Sequence, residues 1–146
     1  MAEKKPQIED LLKNSGLKAT PQRLAVYGIM GRLGHASADM VRKEALASGY
    51  TFTLATVYNT LETLAGAGLL TKRLSPDSKM FFDVNTYNHC HLYDVEESEF
   101  TDYNDQELVK LVEGYIASRK PRNFEWSRVD IQIMGRKKRR KQTKSA

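Results

Sequence analysis

Residues 54–70, LATVYNTLETLAGAGLL, decide the fold of this 146-residue chain. Apolar side chains recur in this stretch at spacings of three and four residues, which predicts one buried face of an α-helix. These side chains are Leu54, Val57, Leu61 and Leu64. The opposite face carries Tyr58, Asn59 and several threonines, so it offers hydrogen-bonding groups and few charges. Gly66 or Gly68 is expected to end the helix.

The segments on either side of this helix predict a winged helix-turn-helix. Earlier helices are indicated by Thr20 followed by Pro21, and by Ser37, which are typical of helix starts. After the central helix, two strand-like runs at 69–74 and 79–84 enclose a Ser-Pro-Asp-Ser turn. Helices followed by a β-hairpin are the order of a winged helix, with the recognition helix at about 54–65 and the hairpin as the wing.

The second half of the chain predicts a smaller unit of order β-β-α-β. HCHLYD at 89–94 and EFTDY at 99–103 resemble a pair of strands, and a helix is expected at about 105–118. The alternation in FEWSRVDIQIMG, residues 124–135, predicts a final strand. The helix is expected to turn its apolar side chains inward, namely Leu108, Leu111, Val112, Tyr115 and Ile116. A unit of ~48 residues seldom stabilises itself alone, so we expect it to dimerise.

The predicted fold class is therefore α+β, an N-terminal winged helix-turn-helix followed by a small α/β dimerisation domain. The expected boundaries are a DNA-binding domain at 1–84, a hinge at 85–87, a dimerisation and metal-sensing domain at 88–135, and a disordered basic tail at 136–146.

The charge of +5 is unevenly distributed. Residues 1–80 carry 11 basic and 7 acidic side chains, residues 81–135 carry 5 and 11, and residues 136–146 carry 7 and none. The basic front and tail suit a polyanion such as DNA, whereas the acidic middle does not. The tail either solubilises the chain or contacts phosphates, and the sequence leaves both alternatives open.

Several protein classes are disfavoured by composition. No run of 18 apolar residues exists and the N-terminus lacks an apolar signal segment, so we expect a cytoplasmic protein without a membrane partner. A single cysteine, Cys90, excludes an internal disulfide framework and a zinc site built only from cysteines. No Ser-His-Asp or Cys-His-Asp set and no phosphate-binding glycine loop is evident, so we do not expect an enzyme.

His89 and His91 form an H-x-H pattern on a predicted strand. Residues two apart on a strand point to the same face, so both imidazoles could reach one metal. Carboxylates surround them at Asp83, Asp94, Glu96, Glu97, Glu99 and Asp102. Nitrogen and carboxylate ligands suit Fe(II), Mn(II) or Zn(II). Spacing alone leaves open two surface histidines beside a solvated acidic run, and it places Cys90 on the opposite face as a small buried residue.

The recognition helix supplies the residues expected to contact DNA. Tyr58 can present its ring to a thymine methyl group and its hydroxyl to a phosphate, with packing in the core as the alternative. Arg23, at a helix start, is either a phosphate contact or a solvated arginine. The same helix face offers further hydrogen-bonding side chains, Thr56, Asn59 and Thr60.

Taken in order, several motifs resemble the ferric uptake regulator (Fur) superfamily: TPQR, HASAD, LATVYNTLETLAGAGLL, FFDVN and HCH. The resemblance runs from about Gly16 to Gly135 and is strongest to the peroxide-sensing PerR and iron response regulator (Irr) branches. It implies a homodimeric, metal-dependent regulator that binds double-stranded operator DNA, by default a repressor of iron-homeostasis or peroxide-stress genes. It also implies one divalent metal per subunit, Fe(II) or Mn(II) with Zn(II) as a further option, held by His35, Asp83, His89, His91 and Asp102.

The sequence departs from the family pattern at the structural zinc site. The first C-x-x-C pair of the structural zinc site would fall at Asp94 and Glu97, so we expect no four-cysteine zinc here. This departure resembles the Irr branch, some of whose members respond to haem, although the cysteine-proline haem motif is missing. The alternative is therefore a haem-responsive regulator that binds DNA when iron is scarce. A metal-independent DNA-binding protein and a metalloenzyme with two histidines and a carboxylate are further alternatives.

Overall fold

Three of the four helices of the N-terminal unit begin directly after a capping residue. The computed structural model describes residues 4–86 and 89–138, and contacts divide the chain into two units, Met1–Thr86 and Tyr87–Ala146. Thr20, Ser37 and Thr53 each accept a hydrogen bond from a backbone N–H in the first turn of the helix that follows. The helices are α1 (Lys4–Asn14), α2 (Pro21–Leu33), α3 (Ala38–Ala47) and α4 (Leu54–Gly66).

A three-stranded antiparallel sheet completes this unit. Its strands are β1 (His35–Ala36), β2 (Thr71–Leu74) and β3 (Met80–Asp83), in the order β1-β3-β2. The β2–β3 hairpin confirms the predicted wing, and its turn is closed by a 2.8 Å hydrogen bond from the Ser75 N–H to the Lys79 carbonyl. The two-residue strand β1 is too short to leave a periodic signal in the sequence.

One apolar core holds the helices against this sheet. It buries the predicted inner face of α4 together with side chains from α1, α2, α3 and β3. Its largest fully buried members are Leu12, Val26, Met30, Val41, Val57, Leu61, Leu64 and Phe82. The periodicity of residues 54–64 therefore predicted correctly which face of α4 is buried, except at its first position. Leu54 is 42% exposed.

The C-terminal unit has the predicted β-β-α-β order. It contains β4 (Cys90–Asp94), β5 (Glu99–Tyr103), α5 (Gln106–Arg119) and β6 (Gln132–Gly135). The sheet order is β5-β4-β6, in which β4 pairs antiparallel with β5 and parallel with β6. This arrangement places β4, with its H-x-H pattern, at the centre of the sheet.

The final strand is shorter than the sequence predicted. Only Gln132–Gly135 of the expected strand at 124–135 is paired, because its partner β4 is five residues long and meets it from His91 to Asp94. One further hydrogen bond, 3.0 Å from the His91 N–H to the Ile131 carbonyl, extends the contact by a residue. The alternation upstream of Ile131 has no ladder partner in the described part of the unit.

The orientation predicted for α5 is wrong at two positions. Leu111 is 70% exposed and Tyr115 is 57% exposed, although both were expected to face inward. Val109 is the one fully buried residue of the helix. Leu111 and Tyr115 are four residues apart and share a helix face, so the apolar stripe of α5 is wider than the surface that covers it in one chain.

Two sequence predictions fall partly outside the described residues: hinge residue Tyr87 and the tail from residue 139 onward. The first residues of the predicted tail do have defined contacts, because Arg136 and Lys137 pair with Glu96 and Glu99. Within residues 4–86 and 89–138, no helix has both the length and the apolar character needed to cross a bilayer.

Candidate metal centre and DNA-binding surface

The two histidines of the H-x-H pattern face one carboxylate. The β4–β5 register pairs His91 directly with Asp102. Asp102 Oδ1 lies 3.3 Å from His91 Nε2 and 3.0 Å from Nε2 of His89, and the two imidazole centroids are 4.2 Å apart. The expectation that residues two apart share a strand face is therefore confirmed here.

Both imidazoles are buried. His89 is 4% exposed and His91 is 0% exposed, which excludes the alternative of two solvated surface histidines. The ring of Phe100 packs edge-on against His91 at 5.7 Å between centroids. The carboxylate is the accessible member of the group, with 32% of the Asp102 side chain exposed.

The donor set fits a divalent metal. An unprotonated imidazole nitrogen and a carboxylate oxygen are both hydrogen-bond acceptors, so they approach each other closely only when a proton or a cation lies between them. Here two ring nitrogens approach the same carboxylate oxygen. Two nitrogens and one oxygen form a mixed set that suits Fe(II), Mn(II) or Zn(II) and does not require a thiolate.

The N-terminal unit contains a second histidine–carboxylate pair. The β1–β3 register sets His35 opposite Asp83, and His35 Nε2 lies 4.0 Å from Asp83 Oδ2. Asp83 is buried, and its Oδ1 accepts a 2.8 Å hydrogen bond from the Asn85 N–H. All five residues predicted as metal ligands thus belong to histidine–carboxylate groups, one group in each unit.

Other carboxylates near the H-x-H pattern are engaged by the start of the basic tail. Asp94 accepts hydrogen bonds from the backbone N–H groups of Glu96, Glu97 and Lys137, at 2.9, 2.9 and 3.0 Å. The bonds from Glu97 and Lys137 hold the pKa of the Asp94 carboxyl below its usual range. Glu99 pairs with the Lys137 ammonium at 3.1 Å. These groups hold the β4–β5 turn to the end of β6.

Cys90 is fully buried, as predicted. Burial raises the pKa of its thiol, which keeps the sulfur protonated at neutral pH. Its position one residue from His91 on β4 turns its side chain to the opposite sheet face.

The predicted DNA-contact residues of α4 differ in their exposure and in whether their polar groups already form hydrogen bonds. Tyr58 is 41% exposed and Asn59 is also exposed. Thr56 and Thr60 are partly buried: Thr60 Oγ1 donates a 2.7 Å hydrogen bond to the Thr56 carbonyl, and Thr56 Oγ1 accepts one of 2.9 Å from Thr53.

Arg23, at the start of α2, has its guanidinium turned back on the preceding loop. Its terminal nitrogen donates a 3.0 Å hydrogen bond to the Lys18 carbonyl. The backbone N–H of Arg23 also donates to the Thr20 hydroxyl that caps the helix.

Sequence reasoning missed a charged pair at the edge of this surface. Glu62 of α4 and Lys72 of β2 lie 2.9 Å apart and join the recognition helix to the wing. The sequence indicates only that Glu62 shares a helix face with Tyr58, because the two residues are four positions apart.

Comparison with known proteins decides the family. The model of the "Ferric uptake regulator family" matches residues 14–134. The chain belongs to this family. Fur proteins are transcriptional regulators rather than enzymes, which agrees with the absence of a recognisable catalytic set in the sequence. The chain is accordingly a metal-responsive, DNA-binding transcriptional regulator.

Similar Fur-family proteins include a peroxide-responsive repressor PerR and a ferric uptake regulation protein. The PerR of Staphylococcus saprophyticus is 28% identical over 106 residues, covering 70% of this chain and 72% of that protein. The protein of Bordetella parapertussis is 34% identical over 102 residues, covering 68% and 73%. The structure of the Pseudomonas aeruginosa ferric uptake regulator with manganese matches with a TM-score of 0.72 and 26% identity, covering 90% of this chain and 98% of that one.

Proposed function

We propose that this protein is an iron- or manganese-dependent repressor that controls iron-homeostasis or peroxide-stress genes in the cytoplasm. The observation that carries the proposal is the approach of His89 and His91 to the same carboxylate oxygen of Asp102. The assignment as a repressor is supported by the similarity to peroxide-responsive repressors. The choice of metal is supported by the similarity to the structure of a ferric uptake regulator with manganese.

The proposed ligands of the ion are His89, His91 and Asp102, together with His35 and Asp83. The last two are assigned because the family resemblance implies them and because they form a histidine–carboxylate pair of their own. The ion, when bound, supplies a crosslink among these side chains. The residues themselves hold imidazole nitrogens and carboxylate oxygens in place, since the sheet registers fix His91 opposite Asp102 and His35 opposite Asp83.

The proposed DNA contacts lie on α4 and at the start of α2. Tyr58 and Asn59 are exposed on α4 and are assigned to base edges and phosphates. Thr56 and Thr60 are assigned to the same groove. The Thr60 hydroxyl already donates within the helix turn, whereas the Thr56 hydroxyl accepts from Thr53. Arg23 is assigned to a phosphate near the α1–α2 loop.

A homodimer is supported by apolar surface that one chain leaves uncovered in the C-terminal unit. The strand β6 lies at the edge of its sheet, and α5 exposes two large apolar side chains. Among the described residues of this unit, the exposed large apolar side chains are Leu92, Val95, Tyr103, Leu111, Tyr115, Phe124, Ile133 and Met134. Apolar surface of this extent on a small domain is typical of an interface, and a second copy of the same unit supplies a self-complementary partner.

To test this proposal, DNA duplexes that bind the Mn(II)-loaded protein are first selected from a random-sequence library. Their affinity is then measured with Mn(II) and with a chelator, for the wild type and for Asp102→Asn. Glu107→Gln, which removes an exposed acid on α5, is the matched control. We expect Mn(II) to tighten binding at least about tenfold, within the range of typical allosteric couplings, for the wild type and the control but not for Asp102→Asn.

Equal affinity with Mn(II) and with chelator would overturn the metal-dependent repressor. The haem-responsive alternative predicts a different pattern, in which chelated protein binds DNA and haem releases it with a Soret band that depends on His89, Cys90 or His91.

A further inference from the structure

Glu62 and Lys72 form a charged link between the recognition helix and the wing. Lys72 Nζ donates a 2.9 Å hydrogen bond to Glu62 Oε2 and lies at the same distance from Oε1. The Lys72 side chain is 42% exposed and that of Glu62 is 32% exposed, so the link lies at the surface rather than in the core.

Tyr58 lies on the same helix face as Glu62. The Glu62 carboxylate, one helical turn further on, raises the pKa of the Tyr58 phenol. Its ring packs edge-on against Phe82 of β3, with centroids 6.1 Å apart. Phe82 is in turn the cross-strand partner of Lys72. The Glu62 carboxylate therefore pairs with a lysine of the wing and shares a helix face with the tyrosine expected to contact DNA.

The charge of Glu62 is unusual for its position. Residues 54–66 of α4 contain no other charged side chain, so the net charge of the helix assigned to the DNA groove is negative. A lone carboxylate facing phosphates is repelled by them, whereas one paired with an ammonium is nearly neutral towards them. The pairing also withholds Lys72 from phosphates.

We propose that Glu62 is a specificity-determining residue that lowers the affinity of this regulator for non-cognate DNA. It does so by neutralising Lys72, so that this ammonium reaches DNA only where the fit of the operator compensates for breaking the link. The inference rests on the proposed DNA-binding surface of α4. Non-specific binding depends on the number of phosphate contacts, whereas operator binding also depends on base contacts.

The test uses the full-length protein and a mixed-sequence duplex labelled for fluorescence anisotropy, measured over a range of salt concentrations. Glu62→Gln is expected to tighten binding to this duplex about three- to tenfold at low salt. The slope of log affinity against log salt should steepen by about one unit, corresponding to one more phosphate contact. The discrimination between a library-selected duplex and the mixed duplex should fall accordingly.

Three further variants decide the cause. Lys72→Met alone should weaken mixed-duplex binding, because it leaves the Glu62 carboxylate unpaired and facing phosphates. In a Lys72→Met background, Glu62→Gln should return mixed-duplex affinity to about the wild-type value without exceeding it, because the ammonium that it would release is gone. Glu107→Gln removes the same charge from α5 and should leave the salt slope unchanged.

The inference is overturned if Glu62→Gln leaves mixed-duplex affinity unchanged. It is also overturned if this variant lowers the melting temperature and weakens binding to both duplexes equally, since Glu62 would then be only a structural brace. The mixed-duplex measurement needs neither metal nor an operator. A wild type that ignores Mn(II) would therefore contradict the proposed function while leaving the result for Glu62 interpretable.

Discussion

His91 Nε2 lies 3.3 Å from Asp102 Oδ1 because β4 and β5 pair these two residues directly across the sheet. The hydrogen-bonding register of two adjacent strands, rather than a flexible loop, thus sets the distance between a buried imidazole and its carboxylate. Donors held by strands in this way are preorganised, which lowers the entropic cost of binding an ion.

The carboxylate of Asp94 is predicted to stabilise the C-terminal unit. Asp94→Ala removes three backbone hydrogen bonds and should lower the melting temperature measured by circular dichroism at pH 7. Asp94→Asn keeps an acceptor oxygen and should have a smaller effect. Equal melting temperatures for wild type and Asp94→Ala would contradict this role.

The same carboxylate predicts a pH dependence of stability. Its folded pKa is depressed, so its contribution is present above the unfolded value of about 4 and is lost as pH falls through the lower folded value. Lys137 adds to the effect, and Glu96, Glu97 and Glu99 are the other charged groups beside it. The melting temperatures of wild type and Asp94→Asn should therefore converge on acidification. Parallel curves down to pH 2 would show that Asp94 is not responsible.

The ring of Tyr58 is predicted to matter more for operator binding than its hydroxyl does. Tyr58→Ala should weaken binding to a library-selected duplex by about 1–3 kcal/mol, the range typical of a good base contact. Tyr58→Phe keeps the ring against Phe82 and should cost less. Mixed-duplex affinity serves as the control. An equal loss on both duplexes for Tyr58→Ala would indicate a general structural defect instead of a base contact.

The exposed apolar stripe of α5 is predicted to lie in a dimer interface. Leu111→Glu places a charge in that stripe and should convert dimers to monomers in sedimentation velocity experiments. Lys110→Glu introduces the same acid at the neighbouring exposed position and is the matched control. Dimers that persist in Leu111→Glu at micromolar concentration would place the interface elsewhere.

The basic tail is predicted to contribute non-specific phosphate contacts. Truncation after residue 138 removes four basic side chains and keeps Arg136 and Lys137, which pair with Glu96 and Glu99. Binding to all duplexes should weaken to a similar degree and the salt slope should decrease. A loss of discrimination with an unchanged slope would instead assign the tail a role in reading sequence.

Local patterns in the sequence were sufficient to predict α4, the β2–β3 hairpin and the shared face of His89 and His91. Each depends on residue spacing within one element, where periodicity is informative. Asp102 was expected only through the family resemblance. The structure supplies the physical reason, since the turn between β4 and β5 brings a residue 11 positions from His91 directly opposite it.

Features that depend on contacts between elements were not predictable in this way. β1 is only two residues long, and the length of β6 is limited by its partner β4. The exposure of Leu111 depends on what covers α5, which periodicity does not reveal. The pairing of Glu62 with Lys72 joins residues ten positions apart in different elements, and no local rule connects them.

The most direct test of the central claim is calorimetric titration of the full-length protein with Mn(II) under anaerobic conditions. Wild type and Glu107→Gln should each bind one ion per chain, whereas Asp102→Asn should bind at least about tenfold more weakly, as expected when a ligand group is altered. Absence of Mn(II) binding to the wild type, or equal affinity in Asp102→Asn, would contradict a metal centre built on His89, His91 and Asp102.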